Sequence, residues 1–493
     1  MSKHDLSNLN QISGLDIYEA SVCEAGGVMY FLGRRGLEKL VGCVGDGAIQ
    51  GNKIGQIDGK AVTIGPAEHA NAAAIREALP WTAPRCIGLA ASAGLGDRLG
   101  VAAPGHIRAV RGSGLAVVLA QQSIREMTRT QRTPDDVMDA ATWGVLQEGF
   151  RDGFGADADH LQQPQDIDAT LAAGFTMFTI DPGAHVDNSA DTDSNADLAA
   201  KVGQFDMGTL QCHPADLTNR YVGKTFDLGP TRISFCEATL LRAAAKYGQA
   251  IAHTVKMYRH LETVTKGQFE LEVSVDETES PTTPAEHYFF SNELKRLGVK
   301  WVSMAPRYVG RFEKGVDYIG DLDAFRASFA EHVAVMQALG PYKMSIHSGS
   351  DKFTVYPIVA ELAGQYVHLK TAGTSYLEAL RAIAGIDAGL FREILDFSRG
   401  RYEQDKATYH VSAELAKVPP AESLKDDQLA AVLDEFDARE ALHVTYGSVL
   451  TATGDSGASR FRDRILTALK QDEQAHYDVL ERHLARHVAP FTQ

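Results

Sequence analysis

The sequence predicts an α/β protein whose body is a closed, TIM-like (β/α)8 barrel, with a small N-terminal β-rich segment and a C-terminal helical extension. Three observations predict it. From about residue 85, short β-rich runs alternate with long amphipathic stretches such as 133–147 and 325–339, as parallel strands joined by helical crossovers do. Seven such runs recur, with an eighth candidate near 442–446, and that number fits a closed barrel better than an open sheet. Several runs also end in polar residues, namely Asp159-His160, Asp181, Asp276-Glu277, Arg307, His347 and Lys370. Strand C-termini are where a barrel carries its chemistry.

Taken in order, residues 1–10 are polar and lack the apolar stretch of a signal peptide. Between 11 and 80, the turn signals Gly26-Gly27, Gly45-Asp46-Gly47 and Asp58-Gly59 separate short apolar runs such as 28–32, which sets an N-terminal β-rich unit at 1–82. The barrel is expected over 83–452, with strands at 86–90, 153–156, 175–180, 269–275, 301–304, 343–346 and 366–369. Residues 183–229 are rich in Asp, Asn, Gly and Thr and read as an insertion after the third of these strands, a cover for the barrel mouth. The extension, 453–493, holds helical spacing over 463–487 and is expected to lie on the barrel surface.

Composition narrows the partners. The 493 residues carry 48 Lys and Arg against 64 Asp and Glu, a net charge of −16, which excludes nucleic acid or an anionic membrane surface as the main partner. Five scattered cysteines without a Cys-x-x-Cys exclude a disulfide framework and a thiolate zinc site. No run approaches the roughly 18 apolar residues of a membrane span, so a cytoplasmic enzyme of small molecules is expected. The sequence is compatible with a homo-oligomer and does not specify one.

Three histidines, His160, His347 and His368, lie in or just after predicted strands. Any one of the 17 histidines could be a surface or core residue, but three at comparable barrel depth point to one divalent cation, with Mn, Ni, Co or Zn suited to imidazole. Carboxylates accompany them. Glu270, Glu272, Ser274 and Asp276 share one parity against Leu271, Val273 and Val275, whereas an ordinary parallel strand reads as continuously apolar. This pattern predicts a polar barrel interior, with Glu272 and Asp159 as proton-transfer groups. The loop Gly94-Leu-Gly-Asp-Arg-Leu-Gly100 is one residue off the dinucleotide fingerprint and has no acid about 20 residues on. It reads as a tight strand-to-helix loop in which Asp97 and Arg98 face substrate. Arg307 and Lys370 are candidates for a carboxylate anchor, or for ion pairing with Glu270 or Asp276. Ser92, Ser274 and Ser348 lack a Gly-x-Ser-x-Gly elbow and carry no acyl chemistry.

Several of these segments, in this order and spacing, carry a resemblance: Gly94–Gly100 followed by Ala103-Pro-Gly-His106, then 155–160, then Phe178-Thr-Ile-Asp-Pro182, then Val275-Asp-Glu-Thr-Glu-Ser-Pro-Thr-Thr-Pro284. Over about 85–450 the chain resembles the tagaturonate/fructuronate epimerase family, whose members have been used as tagatose 4-epimerases. The resemblance implies a metal-dependent barrel isomerase of hexuronate breakdown, acting on a keto-uronate or a ketohexose. Fructuronate and tagaturonate are 5-ketohexonates that differ at C3, a carbon β to the ketone, so a retro-aldol break of C3–C4 and its reversal from the other face is the expected route. A class II-type metal-dependent aldolase and a non-catalytic sugar-acid-binding subunit are the competing readings.

Overall fold

The computed structural model describes residues 3–347 and 351–492, so Ser348 lies outside the described residues. Eight parallel strands close the barrel: β1 (Ser92–Leu95), β2 (Ala116–Ser123), β3 (Phe154–Leu161), β4 (Met177–Ile180), β5 (Glu270–Ser274), β6 (Ser303–Ala305), β7 (Lys343–His347) and β8 (Val367–Thr371). Each pairs with its neighbour in sequence, and β8 pairs with β1 through His368 opposite Ser92.

The two faces of the strands divide sharply. Leu271 and Val273 on β5, Phe178 and Ile180 on β4, and Met344 and Ile346 on β7 join one large apolar cluster with the surrounding helices. The alternate positions point inward and are polar: Lys370 on β8 reaches across to Asp157 on β3, Thr179 on β4 and Glu272 on β5. Apolar burial between strands and helices therefore carries the stability, at about 25 cal/mol per Å², and the interior is left for charge. The parity read from the sequence for Glu270, Glu272 and Ser274 holds.

Two strands differ from expectation. Residues 86–90 form a turn in which Gly88 takes φ +63°, and the first strand is the next segment, Ser92–Leu95. The eighth member of the barrel is Ala116–Ser123; residues 442–446 instead run from the helix Phe436–Val444 into the helix Tyr446–Thr451. The glycines of the 94–100 loop serve close packing: a Cβ on Gly96 would stand 2.8 Å from the Ala372 backbone that follows β8.

The N-terminal segment is a six-stranded antiparallel sheet within Asp16–Pro66, preceded by the helix Lys3–Ser13 and followed by the helix His69–Ala78. Tyr30, Leu32, Val41 and Ile75 from this unit pack on Trp143 and Leu146 of the barrel helix Pro134–Gln147. The Asp-rich segment follows β4, the fourth strand. It folds into short helices and the hairpin Lys224–Asp227/Arg232–Phe235 against the long helix Glu237–Thr265. After β8, helices from Thr374 to Gln471 build a second apolar core around Tyr376, Phe391, Leu442 and Phe461. The last helix, Glu473–Val488, buries Leu480, Leu484 and Val488 in the barrel cluster. Its approach needs Gly105, where a Cβ would stand 2.8 Å from Leu480. Among the described residues no helix is long and apolar enough to cross a membrane.

Candidate active site

The C-terminal ends of β3, β5, β7 and β8 converge on one cluster. β3 ends in Asp157-Ala-Asp159-His160, where strict alternation would turn Asp159 and His160 to opposite faces. His160 escapes it by taking φ +50°, a left-handed conformation that costs a non-glycine residue of order 1 kcal/mol or more and is concentrated at functional sites. Both side chains thereby reach the barrel mouth. Asp159, His160 and His347 each offer a ligand atom, and these atoms lie within 4.8 Å of one another. The rings of His160 and His347 meet edge-on with centroids 5.3 Å apart.

Around them stands a ring of acids. His347 Nε2 is 2.6 Å from Glu272 and its Nδ1 is 3.4 Å from Asp276. His160 Nδ1 is 3.3 Å from Asp181. Burial alone would lower the His160 pKa, but Asp159, Asp181 and Asp276 outweigh it and raise it to about 10. His347 is likewise raised, burial being overcome chiefly by Asp276. The arrangement thus calls for positive charge at this point. Two imidazoles, one carboxylate ligand and three further acids fit a divalent cation with nitrogen and oxygen ligands.

Lys370 lies beneath, 2.7 Å from each of Asp157, Asp159 and Glu272. Burial disfavours its charge, yet the three carboxylates hold its pKa well above the ordinary lysine value. The same contact holds Glu272 and Asp159 ionised against their burial, with Lys370 the main cause for each. Asp157, fully buried, is pushed up to about 6 by burial despite Lys370. His368 sits one inward position below Lys370. Its Nδ1 is 2.8 Å from Ser92 Oγ, its Nε2 is buried without a hydrogen-bond partner, and it stands outside the three-residue cluster.

Above the cluster is a small cavity lined by Arg98, Arg125, Lys314, Lys370, Tyr409 and Tyr446 together with Asp159, His160 and His347. Its roof, Tyr409, His443 and Tyr446, comes from the segment after β8. The Asp-rich segment instead braces the loop after β5, with Asn188 accepting from the Glu279 amide and Asp191 binding Lys246 and Ser280. Arg98 lines the cavity. Asp97 turns away: its carboxylate accepts from the amides of Leu99, Gly100 and Ala102 and closes the loop. Arg307 lines an outer cleft continuous with the cavity at His347, and donates to the Thr278 carbonyl. The sequence alone does not mark Arg125, Lys314 or Tyr409. A signal for the first exists, since Ser123 and Glu126 form a reciprocal capping box that ends β2 and starts the helix carrying Arg125.

Known proteins resemble the chain in sequence and in fold. A sequence profile of the tagaturonate epimerase family, UxaE, matches residues 18–491. A tagaturonate/fructuronate epimerase of Thermotoga maritima is 41% identical over 478 residues, covering 96% of each chain. The native crystal structure of fructuronate-tagaturonate epimerase UxaE from Cohnella laeviribosi superposes with a TM-score of 0.92 at 36% identity, and a glycerol complex of the same enzyme with 0.92 at 35%, each over 99% of both chains.

Proposed function

The chain belongs to the tagaturonate epimerase family, and from that premise we propose that it interconverts D-tagaturonate and D-fructuronate by breaking and remaking the C3–C4 bond at the mouth of its barrel, with one divalent cation held by Asp159, His160 and His347. The observation that carries this reading is the convergence of those three ligand atoms within 4.8 Å, ringed by acids, at the C-terminal ends of the strands. Asp159, His160 and His347 would hold the cation there, where it would supply Lewis acidity to the reaction. His368, a layer below, is bonded to Ser92 and stands outside this ligand set.

The protein's own groups move the protons. Two lysines line the cavity, each paired with a carboxylate: Lys370 on β8 with Glu272 on β5 at 2.7 Å, and Lys314 with Glu277 at 3.4 Å. On one side, the Glu272 carboxylate, held ionised by Lys370, takes the C3 hydroxyl proton. The C3–C4 electron pair then becomes the C4–C5 enediolate, leaving an aldehyde at C3. The aldehyde turns, C4 attacks its other face, and the new C3 alkoxide takes a proton from the Lys314 side. Tyr409, His443 and Tyr446 line the same cavity, and retention of the two three-carbon pieces there is what separates epimerisation from release of fragments as an aldolase would do.

The test is an NMR assay of the purified protein with D-fructuronate. Turnover to D-tagaturonate is expected to stop on chelation and return with Mn, Ni, Co or Zn. Full activity in chelated, metal-free protein contradicts the reading.

A further inference from the structure

We propose that Arg98, with Arg125 beside it, is the seat of the substrate carboxylate and the reason the site takes sugar acids. The proposal deepens the keto-uronate reading above and rests on it. Arg98 is buried, its side chain 4% exposed, and it is held on two sides: Glu126 Oε1 lies 2.7 Å from Nη2 and 2.8 Å from Nε, and the guanidinium lies 3.6 Å from the centre of the Tyr446 ring. Its remaining nitrogen, Nη1, is buried without a hydrogen-bond partner while the side chain lines the cavity above the cluster. A buried, charged donor left unpaired is costly. A carboxylate seated in the cavity would satisfy it.

The surrounding charge agrees. Arg125 lines the same cavity and pairs with Glu277 at 3.2 Å, which Lys314 also approaches. Three cations, Arg98, Arg125 and Lys314, face two carboxylates, Glu126 and Glu277, leaving one positive charge for an anion in a protein whose net charge is −16. The other sequence candidates are less suited. Lys370 is committed to three carboxylates, and Arg307 donates to a backbone carbonyl in the outer cleft. Glu126 is itself fixed by the capping box, so the guanidinium is oriented before any ligand arrives, as a rigid planar fork requires.

The experiment compares wild type with Arg98→Gln and Arg125→Gln in the metal-loaded enzyme. One readout is calorimetric binding of D-mannonate, which is fructuronate with its ketone reduced; the other is tagaturonate kinetics. Wild type is expected to bind mannonate. Arg98→Gln should weaken binding at least tenfold and raise KM far more than it lowers kcat, and Arg125→Gln should shift both in the same direction by less. Circular dichroism melting separates misfolding from loss of binding, and Arg125→Gln, at the rim, keeps the test open if Arg98→Gln does not fold. Unchanged mannonate affinity in the folded variants, or no mannonate binding by a wild type that does epimerise tagaturonate, overturns the assignment. A wild type that binds mannonate but does not epimerise tagaturonate overturns the keto-uronate reading and leaves the carboxylate seat standing.

Discussion

Lys370 bears three ion pairs at 2.7 Å inside a closed barrel, and its partners separate by what else they touch. Asp159 shares the three-residue cluster with His160 and His347, whereas Glu272 faces His347 and Lys370 and has its second oxygen, Oε2, buried without a partner. Glu272→Gln is therefore expected to keep its metal and to lose about 10² to 10⁴ in turnover, the usual worth of a general acid or base. Asp159→Asn should lose metal occupancy along with turnover, and metal analysis of both variants checks the difference. Normal occupancy in an inactive Asp159→Asn would return that residue to proton transfer, the role its sequence context suggests. Asp159, His160 and His347 were legible in the sequence because strand-end polar residues in a barrel face the site. The left-handed turn at His160 that brings neighbours to one face has no sequence signal, since histidine is not a residue that advertises positive φ.

The strands of the barrel were read best where alternation was strong. β5, with Glu270, Glu272 and Ser274 inward, declared itself. β1 did not: Ser92-Ala-Gly-Leu95 is built of small residues of low strand preference, since Gly94 lies against Gln121, while the more apolar 86–90 is a turn. The Tyr409 part of the roof was illegible because it lies in irregular chain around 408–412, held by the helix Phe436–Val444. Glu440 on that helix accepts from the amides of Ser412 and Ala413, and Glu313 accepts from Ser412 Oγ. Burial first, and the Glu313 charge second, push the Glu440 carboxyl up to about 8. The folded state thus binds a proton that the unfolded chain has released above about 4.5, so this group lowers stability as pH rises from about 4.5 to 8, after which its effect is constant. Glu440→Gln removes that dependence. The melting-temperature advantage of the variant over wild type should widen from pH 5 to pH 8 and then stop widening; an advantage independent of pH would show that Glu440 is ionised throughout.

Over the whole molecule, charge is sorted by place. A net charge of −16 coexists with a cavity that presents Arg98, Arg125, Lys314 and Lys370 around the acid-ringed group Asp159, His160 and His347. The N-terminal sheet and the terminal helix brace the barrel from outside, and the helices after β8 roof it. The central claim is that the C3–C4 bond breaks while the hydrogen on C3 stays in place. The most direct test runs the epimerisation in D2O and, in parallel, with substrate deuterated at C3, reading both epimers by NMR. The account predicts no solvent deuterium at C3, full retention of the C3 label, and no large primary isotope effect from it. Deuterium entering C3 at the rate of epimerisation, or a large primary effect from the C3-labelled substrate, would contradict it.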